Sequence, residues 1–312
     1  MRYAVPRESV LSATDSGTTY TKRCYAIPKS LSGVVDESYP DYDPSVTYNT
    51  GDYVIVPALK TIYRCATDGV SGVFPPSDKL KWVDFGFVNS YRMLAVDEQI
   101  NEKTTGAGVV MEFDFARATT IAFVNTRFES VQIEQIDDTT GDIVNSVQID
   151  GRTIGCKSFS EYFFADAKYK TRIILDNLTW LKSSTLRITF SGSVEIGTVV
   201  IGRAQDMGVT LYGTSLEFQD KSVVKTDEVT GFRNVVRYGN VRVLDAKILI
   251  DTGDFNQVAQ RISEIIGKNV LWIPTKLDKF SEMSNIAYIE SAPLPIDNPA
   301  KNESQITMIG VI

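Results

Sequence analysis

Short runs in which apolar and polar residues alternate dominate the chain, and such runs predict half-buried β-strands. The densest set lies within residues 93–207: Val109–Phe115, Thr120–Val124, Ser130–Ile136, Ile143–Ile149, Thr171–Leu175, Thr185–Phe190 and Val194–Ile201. Val131 and Ile133 occupy alternate positions between polar neighbours, and Asp137–Asp142 reads as a hairpin turn between two runs. Many short strands separated by turns predict a β-sandwich, of the jelly-roll kind, for 93–207. Over 208–312 the period changes once. Phe255, Val258, Ile262, Ile265 and Ile266 follow helical spacing, with Asp254 placed as N-cap, Gln257 at the capping-box position and Gly267 as a left-handed stop. Runs at Asn240–Asp251, Val270–Ile273, Ile286–Ile289 and Ser304–Ile312 flank this helix, so 208–312 is expected to be an α+β domain with one main helix whose apolar face packs on the sheet.

Residues 38–92 differ in texture. They hold Tyr39, Tyr42, Tyr48, Tyr53, Tyr63, Phe74, Trp82, Phe85 and Phe87. Asn49–Asp52 supplies turn chemistry ahead of a strand at Tyr53–Val56, Thr61–Cys65 alternates as a second strand, and Trp82–Phe85 closes the unit. A module this small has little room for a core. Tyr48, Tyr63 and Trp82 are therefore assigned to that core, while Tyr42, Tyr53 and Phe74 are candidates for an exposed surface on which a sugar ring would stack. Residues 1–37 have weak periodicity and many small polar residues, which predicts an arm with one or two short strands. Such an arm can add a strand to a neighbour's sheet. The whole is expected to be mainly β: an arm, a small module and a sandwich, then the α+β end.

Composition narrows the chemistry. The 312 residues are 43% hydrophobic and 23% charged, as in ordinary globular proteins, and their length suits two or three domains. A net charge of -7 argues against a protein that coats nucleic-acid phosphates. No apolar run is long enough for a signal peptide or for a membrane span, so synthesis in the cytoplasm without membrane insertion is expected. Histidine is absent, which removes the commonest general base and metal ligand together with every His-dependent triad, dyad or zinc site within the chain. Cys24, Cys65 and Cys156 are odd in number and far apart, and are read as reduced thiols. No cofactor is implied.

The acids Glu129, Glu134, Asp137, Asp138, Glu161 and Asp166 are the candidates for a glycosidase pair. They fall in turns or on polar strand faces, the positions of solvated charge. Asp137, Asp138 and Asp142 offer oxygen ligands to calcium without the spacing of an EF-hand loop. Gly106–Gly108 lacks the lysine and the following helix of a phosphate loop.

Residues 42–82 resemble the chitin-binding-type carbohydrate-binding modules appended to chitinases and found in many phage tail proteins. The pattern places an aromatic, a Tyr, a Gly-Asp pair before a strand, a second Tyr and a closing Trp, here Tyr42, Tyr48, Gly51, Asp52, Tyr63 and Trp82. The chain departs from it where the exposed Trp pair should follow the second Tyr, because Arg64–Thr67 stands there. A second likeness is wider. Phage virion proteins with this module continue with a Trp-Leu-x-x-Gly-x-x-Asn-x-x-x-Met-Phe-Asp segment, and Trp82–Asp97 is similar, keeping Trp82, Gly86, Asn89 and Met93. A β-sandwich, Gly-rich segments like Ile196–Gly202 and Gly208–Ser215, a stretch like Gln219–Gly231 and a one-helix α+β end complete the order over about 40–312.

The resemblance implies a non-enzymatic structural protein of a tailed-phage virion (tail, tail tip or baseplate, or neck). It would assemble in several copies with other tail proteins. It assigns no catalytic residue. An adhesin that touches host surface glycans through the module is the second reading, and a glycan-degrading enzyme the third.

Overall fold

The computed structural model describes residues 1–95, 102–153, 168–226, 233–236, 240–275, 277–296 and 298–311. The fold is mainly β with one main helix, and it divides into two compact units: Arg7–Gly202, and Met1–Pro6 with Arg203–Ile312.

In the first unit a six-stranded antiparallel sheet runs in the order Ile143–Asp150, Ser130–Asp137, Ser184–Ser191 and Thr104–Asp114, with Ser193–Ile196 and Pro28–Val34 also paired to Thr104–Asp114. A smaller sheet sets Thr120–Val124 between Arg172–Leu175 and the Thr198–Gly202 part of the strand Thr198–Asp206. Alternation decides what faces what. Val109, Met111, Phe113, Val131, Ile133, Leu186, Ile188 and Phe190 of the larger sheet share one buried cluster with Ile121, Phe123, Ile173, Val199 and Ile201 of the smaller. Two sheets facing each other across such a cluster form a β-sandwich. Phe123 and Phe128 both meet Phe190 edge-on, at 5.6 and 5.7 Å between ring centroids. Gln135 takes a core position in this layer and is satisfied there. It donates to the Thr179 carbonyl at 2.7 Å and accepts from Asn145 Nδ2 at 2.6 Å.

Residues 1–37 carry four strands, Arg2–Pro6, Glu8–Asp15, Thr18–Tyr25 and Pro28–Val34, where the sequence suggested an arm with one or two. Their alternation rests on small and polar side chains, so the period was faint. Glu8–Asp15 and Thr18–Tyr25 form a hairpin closed by Ser16 and Gly17, both at positive φ (48° and 83°). Two such residues make the turn whose twist matches that of a hairpin.

The second unit is built on an antiparallel sheet in the order Arg2–Pro6, Val270–Ile273, Asn285–Ser291, Lys301–Gly310, Asn240–Asp251 and Val209–Thr210, with Ser215–Asp220 on the same edge of Asn240–Asp251. The helix Phe255–Ile265 lays Val258, Ile262 and Ile265 on a cluster holding Tyr3, Leu244, Ile248, Ile250, Trp272 and Met308. Two details of the helix ends differ from expectation. Asp254 makes no side-chain cap, because a 3-10 turn, Thr252–Asp254, runs straight into the helix and holds Asp254 in helical backbone. Ile266 is exposed, because the helix ends one residue earlier; Gly267 then turns left-handed at φ 76°.

Candidate functional site

The aromatic module of the first unit is a three-stranded antiparallel sheet of Tyr53–Val56, Thr61–Cys65 and Trp82–Phe87. One face is a closed core. Val54, Val56, Tyr63, Cys65 and Trp82 alternate onto it and are joined by Tyr48, Leu59 and Val70. Tyr48, Tyr63 and Trp82 are 5%, 6% and 1% exposed. Their polar ends have partners: Trp82 Nε1 donates to the Val73 carbonyl at 3.0 Å, and Tyr48 Oη accepts from the Asp43 amide at 2.9 Å. Ahead of the first strand, Gly51 at φ 97° forms the turn, Asp52 accepts from the Asn49 amide at 2.7 Å, and Asp68 accepts from the Thr50 amide at 2.8 Å. The Thr50 amide, with the Thr50 hydroxyl assisting, holds the Asp68 carboxyl below its usual range, as the Ser45 hydroxyl and amide do for Asp43.

Of the sequence candidates, Tyr42 and Phe74 belong to this inner side. Both are half-buried against the core, with Tyr42 stacked near Tyr48 and edge-on to Phe74 and Trp82 at 5.7 and 6.1 Å. Tyr53 lies on the opposite face of the sheet. There it stacks on Tyr39 at 5.0 Å with the rings 18° apart, meets Phe85 edge-on at 5.2 Å, and has the Arg64 guanidinium 5.9 Å above it. The structure therefore does not bring Tyr42, Tyr53 and Phe74 onto one platform. It makes a different one, with Tyr39 at 38% and Phe85 at 43% exposure on either side of Tyr53. Phe85 was not legible by parity, because the register slips by one residue at Phe85 and Phe87, two residues on, is buried. Nor was Tyr39, because it precedes the strands in irregular chain.

Ala13 of the amino-terminal hairpin enters the inner core, and Tyr20 packs 5.5 Å from Phe74. Lys22 pairs with Asp84 at 2.7 Å and lies 4.6 Å over the Phe87 ring. A cleft of about 750 Å³ between hairpin and module is lined by Tyr20, Lys22, Arg23, Lys79 and the edges of Tyr63 and Trp82. Beyond the module, Asn89 joins it to the sandwich. Its side chain donates to the carbonyls of Val35 (2.9 Å) and Thr105 (2.8 Å) and accepts from the Thr105 amide (2.9 Å). Phe87, Met93 and Leu94 then lead into the sandwich core.

The acidic candidates for a catalytic pair have other work. Asp138 accepts from Thr185 at 2.7 Å and Ser183 at 2.9 Å, with Lys29 at 3.6 Å; the Thr185 bond leads in holding its carboxyl below the usual range. Glu129 pairs with Arg152 at 3.4 Å, Glu134 accepts from Gln132 at 2.8 Å, and Asp137 accepts from the Thr139 amide at 2.8 Å. Glu161, Asp166 and Cys156 lie outside the described residues, as does 227–231 of the Gln219–Gly231 resemblance. Among the described residues no group of three or more Cys, Asp or Glu is placed to hold a metal ion, and no helix is long and apolar enough to cross a membrane. Gly106 sits in a strand where an added Cβ would meet the Gly33 carbonyl at 2.4 Å, so close packing accounts for it. Cys24 and Cys65 are buried free thiols. Comparison with protein-family models, with curated proteins and with solved structures finds no match to this chain.

Proposed function

We propose that the protein is a structural component of a tailed-phage virion, of the tail, tail tip, baseplate or neck, present in several copies beside other tail proteins. One observation supports this above the rest. The module that resembles a carbohydrate-binding domain is built into its unit: its core takes in Ala13 of the hairpin, and Asn89 bonds it to the strand Thr104–Asp114. A module tied down at these two places suits a building piece better than a mobile sugar-catching appendage. The order of the sequence likenesses along 40–312 supplies the phage assignment. Mass spectrometry of purified particles made by the genome that encodes the chain tests it. Peptides from this chain should co-purify with tails at several copies per particle, and their absence from washed particles ends the proposal.

The Tyr39–Tyr53–Phe85 platform favours a second reading, an adhesin that contacts host surface glycans. Sugar rings present C–H faces to exposed aromatics, and Arg64 beside the platform would suit an acidic glycan. A glycan array with the full chain separates the readings. Binding lost in Tyr53→Ala and Phe85→Ala and kept in Tyr42→Ala supports the adhesin; no binding to any bacterial polysaccharide removes it.

A further inference from the structure

The two edges of the six-stranded sheet are built differently. One edge is Pro28–Val34, which carries a proline, Lys29 and two register shifts against its neighbour. Those devices keep a sheet edge from pairing with another chain. The other edge is Ile143–Asp150. Its register with Ser130–Asp137 has one shift at the far end, between Gln135 and Ile136, and is continuous from Ser130 to Gln135. From Ile143 to Ile149 it contains no charge and no proline. Among the described residues this strand pairs with no chain on its outer side. Ile143 and Val144 are 54% and 40% exposed there. Val147 and Ile149 stay half-buried, although Ile133 and Val131 directly opposite are each 1% exposed. The core is therefore finished under the inner strand and left open at the edge.

We infer that this edge pairs with the same strand of a second copy of the chain, antiparallel about a two-fold axis near Ser146, so that one sheet continues through both subunits. Three arguments select that occupant. A strand related to itself by a two-fold axis is antiparallel, and the pairing is self-complementary. With Ser146 on the axis, Ile143 faces Ile149, Val144 faces Gln148 and Asn145 faces Val147, so the uncharged centre of the strand covers apolar edge, and like charges meet only at the two ends, where Asp142 faces Asp150. Head-to-tail growth would instead need the Pro28–Val34 edge, which Lys29 and the two shifts obstruct. The assembly thus closes at a pair rather than running on as a fibre. This deepens the multi-copy reading above and rests on it for the choice of a like subunit as partner.

Charge placed on the axis tests the pairing. Ser146 is exposed, so Ser146→Lys and Ser146→Glu leave the core untouched, and circular dichroism checks that both fold. In each variant two like charges face each other across the axis, and pairing should weaken at least about tenfold. Sedimentation velocity on the full chain should give a wild-type species of twice the mass of either variant. An equimolar mixture of the two variants should recover the wild-type mass, and Ser32→Lys on the obstructed edge should leave it unchanged. Wild type and both variants running at the same mass overturns the inference, whatever that mass is. A chain missing from particles that still behaves as expected here would remove the virion proposal and leave the edge pairing standing.

Discussion

Asn89 shows how much a single polar side chain carries in this protein. It is 7% exposed, and both ends of its amide are engaged by backbone groups of Val35 and Thr105. Truncation leaves those buried backbone groups without partners, which outweighs the loss of the bonds themselves. Asn89→Ala should lower the unfolding free energy by about 2–3 kcal/mol, read from urea melts. Asn89→Asp should be no milder, because it replaces two donated bonds with a buried charge. Cys24 makes the contrasting case of an inert side chain. Burial pushes its thiol up to about 11, so at pH 8 only about a thousandth is thiolate. Peptide mapping after iodoacetamide treatment at pH 8 should find Cys24 unmodified in the folded chain and modified once urea is added. Modification at equal rates in both states would contradict the closed core that surrounds it.

At the level of elements, the hairpin Glu8–Asp15/Thr18–Tyr25 turns on two residues in left-handed backbone with open space around Gly17. Only backbone conformation acts there. Gly17→Val should cost roughly 1–2 kcal/mol, while Ser16→Asn should gain a few tenths, since Asn-Gly suits this turn best. Opposite shifts in melting temperature check the pair. The same hairpin marks the limit of what the sequence made legible. Thr120–Val124, Asn240–Asp251 and Val270–Ile273 run at the bounds their β-branched runs indicate, because burial on their own sheets imposes the period. In Glu8–Asp15 only Ala13 is buried, and what buries it is the aromatic module some forty residues away. No local pattern carries that contact. The candidate surface divides the same way. Tyr53 sits in a strand where parity against Val54 tells the outer face from the inner, whereas Phe85 sits where its strand slips register and alternation is lost. Tyr42, Phe74 and Tyr39 sit in irregular chain, where spacing has no face to refer to, and the first two turned inward.

Over the whole molecule, charge sets where the protein should be weakest. Among the described residues, the carboxyls held below their ordinary range are Asp43, Asp68, Glu112 and Asp138, and all four belong to the Arg7–Gly202 unit. For Glu112 the Arg187 hydrogen bond at 2.8 Å leads, with Ser30 assisting. A carboxyl whose folded value lies below its unfolded one stabilises fully above the unfolded value, and the contribution is lost as pH falls toward the folded value. The unfolded values are 3.8 for Asp and 4.5 for Glu, so the loss begins below about pH 4.5 and deepens with further acidification. Hydrogen exchange between pH 5 and pH 3, corrected for intrinsic rates, should show protection falling first in peptides of Thr104–Asp114 and Ser184–Ser191. Peptides of Asn240–Asp251 and Lys301–Gly310 should hold to lower pH. Glu112→Gln should be less stable than wild type at pH 7, with the gap closing as the wild-type carboxylate protonates. Were the helix-bearing unit to open first, or the gap to widen toward pH 3, these paired carboxylates would not be what ties stability to pH.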